Sequence, residues 1–485
     1  MSDLKKKAVK GVSWSLLDNI ANSGITFVVG IILARILSPK EFGVLGMIAV
    51  FMALSNSIVD SGFSNALVRK TDAKNIDYNT VFIFNLIIAL LVYGLLYMFS
   101  PAISQFFNEP ILIPVTRVMG LILIINGLGI VQRTLLIKNI NFKTQAKISL
   151  IASVSSGVVG VLLAYLGYGV WSLVGQQLTR QLLNVLLLWI FNSWRPVFEF
   201  SFESFKELFN FGSKLMLSSL IDTFYNNVFY IVIGRYYSAV QLGYFTRADQ
   251  FKSIFANNLT TIIQRVSYPV LCTIQDDDLR LRSTYQKVIK ATMMITFPCM
   301  LGMAAVSKSL IVVLIGVKWL PAVSFLQIIC FSGMLYPLHA INLNMLQVKA
   351  RTDLFLKLEI IKKIIAVGPI LLGVLYGIDF MLWGAVFTSV IFFFLNSYYA
   401  SGLINYSSWN QIKDIFPSFS VAIVTSAVMW CCTLLNLQEE LMLFIQCSVG
   451  FCFFIFVNET IKLNEYFDLK SILISYVSRK KYNEK

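Results

Sequence analysis

The sequence predicts an all-α integral membrane protein of about fourteen transmembrane helices, arranged as two six-helix lobes in parallel repeat plus two C-terminal helices. Three observations predict it. The chain is 57% hydrophobic and 13% charged, with a mean hydropathy of +0.73, where a soluble chain carries roughly 25% charged residues. Its apolar residues fall in runs long enough to cross a bilayer. One polar-seamed helix near the N-terminus has an echo 200 residues later. The period-two alternation of an outer-membrane barrel is absent.

At roughly 20 residues per span, the apolar windows are 12–37, 42–63, 79–100, 111–135, 146–166, 169–191, 212–236, 245–270, 288–315, 321–347, 358–377, 380–403, 415–435 and 440–461. Ser307-Lys308 interrupts the window at 288–315, which reads as one long span or as a span plus an interfacial piece. Lys5, Lys6, Lys7 and Lys10 precede the first window like the start of a signal peptide, but the window is too long and no small-x-small cleavage site follows. It reads as a retained first span.

Charge then sets the orientation. With the N-terminus in the cytoplasm, the inner segments hold Arg69, Lys70 and Lys74, then Lys138, Lys143 and Lys147, Arg280, Arg282 and Lys287, Lys349, Arg351 and Lys357, and a tail with Lys470, Arg479, Lys480, Lys481 and Lys485. The outer segments carry little beyond Lys40, Lys308 and Lys318. The positive-inside rule therefore places both termini in the cytoplasm. The net charge of +15 belongs to this topology and not to nucleic-acid binding.

The repeat divides the chain. Ile31 to Gly43 ends one copy and Ile231 to Gly243 the other; Arg35 and Arg235, Ser38 and Ser238, and the two glycines coincide. Six spans precede the second copy, so both copies have one orientation, related by an axis along the membrane normal. The expected organisation is an N-lobe over 1–191, a cytoplasmic linker over 192–210, a C-lobe over 211–404, and two appended spans with a basic tail over 405–485. Arg35 and Arg235 close their helices as C-terminal cations.

Ionisable side chains at bilayer depth cost about 2.5–3.5 kcal/mol each on insertion scales and normally face a bundle interior or a wet cavity. In the first span Ser15, Asp18, Asn22 and Thr26 share one face; in the seventh Ser218, Asp222 and Asn226 do the same. The sixth carries Gln176, Gln177, Arg180, Gln181 and Asn184, with Arg180 near its middle, where snorkelling to either surface is hardest. In the eighth, Arg247 and Arg265 lie eighteen residues apart with Asn258 and Thr261 on the same face, about 27 Å apart along the helix and near opposite mouths of a cavity. Asp249 and Lys252 are spaced to pair at i, i+3. Arg117 and Asn126 in the fourth span and Asp60 in the second complete the set.

Each has a structural alternative. Arg247 and Arg265 are also placed for end-of-helix snorkelling, Asp18 and Asp222 for helix–helix hydrogen bonding, and Arg180 for an ion pair. His339, the chain's one histidine, shares a face with Asn342, and such a residue is more often a hydrogen-bonded interior group than a proton relay. The seven cysteines form no CxxC pair, and those in apolar runs act as small hydrophobes. No GxxxxGK[ST], HExxH or GxSxG stands in the chain, so ATP hydrolysis, zinc proteolysis and serine hydrolysis find no machinery.

Gly11-Val-Ser-Trp14, Leu33 to Gly43, Asp60-Ser-Gly-Phe63, Gln264 to Val270 and Tyr336 to Asn344 resemble the Wzx-type polysaccharide and O-antigen flippases of the MOP superfamily, on the colanic-acid exporter branch. The resemblance covers nearly the whole chain. It implies a V-shaped, MATE-like bundle that moves undecaprenyl-diphosphate-linked oligosaccharide from the cytoplasmic to the periplasmic leaflet of the bacterial inner membrane by alternating access. It also implies a non-enzyme without a cofactor or metal, whose partners are the lipid-linked glycan, the bilayer, and the polysaccharide polymerase and chain-length machinery.

Arginines suit a diphosphate. The expected substrate contacts are Arg180, Arg265, Arg247, Asn258, Gln176 and Arg117. Asp18, Asn22, Asp222, Asn226 and His339 are the expected ion-coupling or cavity groups, with a proton or Na⁺ as the open choice of coupling ion. A cation-coupled multidrug antiporter on the same fold is the alternative; acids should then dominate its cavity.

Overall fold

The computed structural model describes residues 2–471 and 475, with side chains from Trp14 onward except Leu16. The side chains of Lys5, Lys6, Lys7 and Lys10, and the tail residues Arg479, Lys480, Lys481 and Lys485, lie outside the described residues. Every regular element among the described residues is helical. The chain forms two compact units, Met1–Thr246 and Arg247–Lys485.

The first unit holds α1 (Ser2–Ile36), α2 (Pro39–Asp60), α3 (Phe63–Arg69), α4 (Asn75–Phe107), α5 (Leu112–Lys138), α6 (Phe142–Tyr165), α7 (Val170–Phe191), α8 (Phe202–Tyr236) and the start of α9 (Ala239–Thr273). Its main packings are α4 on α5, α6 against both α1 and α7, α5 on α7, and α2 on α8. The start of α2 is written locally: Pro39 takes a first-turn position, and the Glu41 carboxylate accepts from the Ser38 backbone N–H at 2.5 Å and from its hydroxyl. Proline lacks an N–H that would be orphaned there, and an acid suits a helix N-terminus.

The repeat acquires a physical meaning here. A methyl group at Gly43 would fall 1.6 Å from the Ala239 carbonyl oxygen, and one at Gly243 1.9 Å from the Pro39 carbonyl oxygen. The two helix starts cross reciprocally, backbone on backbone, and only glycine allows it. Farther along, Gly62 and Gly212 make a second backbone crossing, and the Ser57 hydroxyl lies 3.3 Å from Thr223 and 3.4 Å from Ser219. Through these small residues α8 packs on α2 within the first unit.

The segment before α8 is strapped to the same unit. Gln132 donates to the Trp194 carbonyl at 3.1 Å, Asn192 to the Gln132 carbonyl at 2.9 Å, and the Val197 and Ser201 N–H groups donate to Asn79 and Thr80 at 3.2 and 3.0 Å. Lys70 Nζ bridges Asp77 at 3.1 Å and Glu207 at 2.8 Å. The hydrogen bond to Glu207 first, then that to Asp77, holds the Lys70 ammonium above the ordinary lysine range despite partial desolvation.

The second unit continues α9 and adds α10 (Asp278–Ile315), α11 (Ala322–Gly333), α12 (Tyr336–Val348), α13 (Thr352–Ile365), α14 (Val367–Tyr376), α15 (Ile378–Ile404), α16 (Ser408–Cys431) and α17 (Glu439–Ile461). Its core is built around Tyr285, Ile289, Phe297, Leu338, Ile341 and Phe393. Of the two readings left open for 288–315, the structure shows one continuous helix. Helix α10 runs through Ser307-Lys308 because the Ser307 hydroxyl bonds back to the Ala304 carbonyl and Lys308 pairs with Glu439 at 2.8 Å. The same contact, with Lys290 bound to Asp414 at 3.2 Å and Glu465 at 3.1 Å, ties α16, α17 and the helical segment that follows them to α10.

Among the described residues, 11 helical segments are long and apolar enough to cross a membrane. Three further windows are helical but fail that test. Helix α7 carries the glutamine–arginine stripe, α9 is amphipathic, and 358–377 is two short helices broken at Ala366. Pro369 explains the break, since it offers no N–H to the carbonyl four residues back. Large apolar side chains such as Met98, Phe387 and Phe444 are more than two-thirds exposed, as a lipid-facing surface requires. The protein is multi-pass in the membrane.

Candidate functional site

Arg180 stands at the middle of α7. Its Nη1 lies 3.4 Å from the Thr26 hydroxyl on α1, and the Asp18 carboxylate, two turns earlier on the same helix, acts on it electrostatically. Asp18 is held in turn. Asn22 Nδ2 donates to Asp18 at 2.6 Å and to the Ser149 hydroxyl at 2.8 Å; Ser149 itself donates to Asp18, and Ser153 donates to Asn22 Oδ1 at 2.5 Å. The polar faces of α1 and α6 thus interlock, and Arg180 of α7 closes the group. Close approach is possible because Gly157 of α6 takes Val29 and Gly160 takes the stem of Gln176. Gln176 therefore serves first as packing.

The layer continues on the other side of α7. Gln181 donates to Asn126 of α5, and Asn126 to Asn56 of α2 at 2.6 Å. Five helices contribute to one band of uncharged hydrogen-bonding groups, with Asp18 and Arg180 as its two charges. Such a band offers hydroxyls and amides for polar substrate groups and one guanidinium for an anion.

Ser149, Ser153 and Asn56 were not legible as members. Serines at i, i+4 and a lone asparagine in apolar helices carry weak signals, and only the partner helix gives them a role. Arg133 was missed too. Lying five residues before Lys138, it reads as an end-of-helix charge, yet it interacts electrostatically with Asp60, whose carboxylate accepts from Ser64.

The other expected residues lie elsewhere. Arg117 sits near the start of α5, nine residues before Asn126 and about 13 Å from it along the helix; its Nε donates to Ser100 at 3.0 Å and its guanidinium covers Tyr97 at 4.2 Å. Its contacts are to α4. Asp222 and Asn226 are exposed on α8, while Ser219 and Thr223 take the side against α2.

In the second unit, Asn258 bonds the Ile254 carbonyl of its own helix at 2.8 Å, Arg247 is half-buried and Arg265 exposed. Asp249 and Lys252 form the i, i+3 pair at 2.6 Å. His339 of α12 lies 3.0 Å from the Ser389 hydroxyl and 3.5 Å from the Asn396 amide nitrogen, both on α15.

Comparison with known proteins agrees with this architecture. A family described as polysaccharide biosynthesis protein matches residues 32–324. The chain is similar to the teichuronic acid biosynthesis protein TuaB of Bacillus subtilis (26% identical; 73% of this chain, 74% of that protein). It is similar to the lipopolysaccharide biosynthesis protein WzxC of Escherichia coli (27%; 76% of each) and to the succinoglycan biosynthesis transport protein ExoT of Rhizobium meliloti (29%; 68% and 67%). Among solved structures, the lipid II flippase MurJ in an inward closed conformation superposes with a TM-score of 0.72 at 15% identity, over 95% of this chain and 99% of that one. An inward-facing MATE multidrug transporter of the MOP superfamily superposes with a TM-score of 0.58 at 17% identity, over 80% and 95%.

Proposed function

The chain belongs to the polysaccharide biosynthesis protein family, and from that premise we propose that it is a flippase for lipid-linked oligosaccharide, carrying the repeat unit from the cytoplasmic to the outer leaflet by alternating access. The observation that carries this reading is the band around Arg180. A guanidinium at mid-helix, beside a wall of serine, asparagine and glutamine, suits an anionic headgroup with attached sugars, and the polyprenyl tail can remain in lipid. The chain then acts as a carrier and performs no bond chemistry on its cargo.

Arg180 holds the diphosphate, with Asp18 and Asn22 positioning it. Arg265 and Arg247 of α9 serve as capture and release contacts toward the two membrane faces, and Asn258 contacts sugar. An inside-negative potential favours outward movement of an anion by about 2.3 kcal/mol per charge per 100 mV. The lysine and arginine asymmetry supports cytoplasmic termini and an inner-membrane location. The names of TuaB, WzxC and ExoT, each tied to a different surface glycan, support the substrate class. The antiporter alternative draws on the fold alone.

A leaflet-sidedness assay on lipid-linked glycan decides. Depletion of the protein should trap glycan on the cytoplasmic face, and unaltered sidedness removes the reading.

A further inference from the structure

Arg117 is a cation of the first unit that the Arg180 band does not use, and a proline fixes its surroundings. Pro101 lies inside α4 and offers no N–H to the Tyr97 carbonyl one turn earlier. The Ser100 hydroxyl takes that place, donating to the Tyr97 carbonyl at 2.8 Å. With its proton engaged there, the buried Ser100 oxygen is left as an acceptor, and Arg117 Nε of α5 donates to it at 3.0 Å. The guanidinium carbon then stands 4.2 Å from the centre of the Tyr97 ring. Tyr97 is braced in turn by Tyr93, with ring centres 6.1 Å apart, and Tyr93 fits against Gly120, where a methyl group would fall 2.8 Å from its ring.

Nε and one face of the guanidinium are therefore committed, and the two Nη nitrogens are not. Neither has a hydrogen-bond partner among the described residues, no carboxylate there lies within ion-pair distance, and both keep access to the surface. The surface of these two helices is apolar: Leu91, Leu95, Met98 and Phe99 of α4 and Leu121 of α5 are exposed.

A guanidinium left in hydrocarbon is costly, so its depth decides what it meets. Leu91 is the middle residue of α4, and Ser100 lies nine residues beyond it, about 14 Å along the axis. Half of a hydrocarbon core of ~30 Å is about 15 Å. The fork therefore sits where acyl chains end and lipid phosphates begin. The lysine and arginine asymmetry supports the outer leaflet for this end of α4 and α5.

We propose that Arg117, Tyr97 and Ser100 form a binding site for the phosphate of an anionic phospholipid in the outer leaflet, separate from the transport band. Two uncommitted N–H groups side by side match two phosphate oxygens, and the exposed apolar side chains lie along the acyl chains. A positive charge with no acid beside it selects a headgroup of net negative charge, such as phosphatidylglycerol. The ammonium of a zwitterionic headgroup would find no carboxylate. The site does not depend on the flippase reading.

The full-length protein is delipidated in detergent, supplied with phosphatidylglycerol or phosphatidylcholine, and weighed by native mass spectrometry. Wild type should hold one phosphatidylglycerol more tightly than the rest, with no such step for phosphatidylcholine. Arg117→Gln should weaken that step about tenfold, as expected for lost hydrogen bonds to a charged group. Tyr97→Leu, which keeps the charge and removes the stack, should weaken it less. Lys40→Gln, at the same end of the unit and already paired with Glu109, should leave it unchanged.

Equal binding by wild type and Arg117→Gln overturns the proposal, as does an equal loss in Lys40→Gln, which would mark a diffuse charge effect. Displacement of the bound phosphatidylglycerol by inorganic phosphate would show an anion site with no lipid preference, and overturns it too. If Arg117→Gln does not fold, equal binding by Tyr97→Leu and wild type overturns it alone. Glycan sidedness enters none of these measurements, so the flippase reading and this site fail separately.

Discussion

The two copies of the repeat present matching seams, and the fold treats them differently. Asp18 and Asn22 of the first copy are enclosed by Ser149 and Ser153 of α6, within reach of Arg180. Asp222 and Asn226 of the second are exposed, because α8 turns Ser219 and Thr223 toward α2 instead. An inherited pattern specifies a helix with one polar face. Which residues of that face do work depends on the neighbour that meets it. The first seam met a helix of small residues; the second met backbone crossings at glycine, which set its rotation.

The largest effect should come from removing Arg180, the guanidinium beside the first seam. Arg180→Ala should abolish glycan export with protein still present in the membrane, measured by sidedness and immunoblot. Persistence of export would make Arg180 structural. Arg180→Lys should recover only part of the activity, because a point charge lacks the fork that grips a diphosphate.

Next is the crossing that joins the copies. Gly43→Ala and Gly243→Ala each drive a methyl group into a carbonyl oxygen and should cost about 1–3 kcal/mol, read as lowered thermal stability in detergent. Gly24→Ala, with open space around it, is the control and should stabilise slightly or do nothing.

The seams themselves can be set against each other. Asp18→Ala strips acceptors from Asn22 and Ser149 and should cost about 1–3 kcal/mol, more than Asp222→Ala on the exposed face of α8. Equal costs would show that the two seams are equivalent after all.

The smallest effect lies at the strap below α8. Glu207→Gln, at the exposed arm of the Lys70 bridge, should lose about 0.2–1 kcal/mol, as expected for a partly exposed ion pair. Because the folded state raises the lysine pKa, this contribution is present in full below the unfolded value and disappears as pH rises through the folded one. The difference between wild type and Glu207→Gln should therefore close in alkaline melts.

Much of the architecture was legible because the bilayer imposes one strong requirement. Spans must be apolar and helical, so their existence could be read from composition alone, and the family-bearing motifs cluster at their ends. The polar band was half legible. Arg180 and Asp18 stood out through the cost of burying charge, whereas Ser149, Ser153 and Asn56 are inexpensive anywhere and become visible only beside a partner. Arg133, close to the end of α5, gives no sign in the sequence that it acts electrostatically on Asp60.

By itself, then, the sequence determined a helical membrane protein, the position of eleven apolar helical segments long enough to span, the presence of a repeated motif and the charges that demand partners. Each follows from local chemistry or from a solvent that acts on every residue alike. Only the tertiary structure decided that α10 continues through Ser307-Lys308, that Gly43 and Gly243 serve to cross one another, that α16 and α17 are bound to α10, and that one acidic seam is enclosed while the other is open. Those outcomes depend on distances between segments far apart in the chain, where a few ångströms of helix rotation decide which side chain finds a partner.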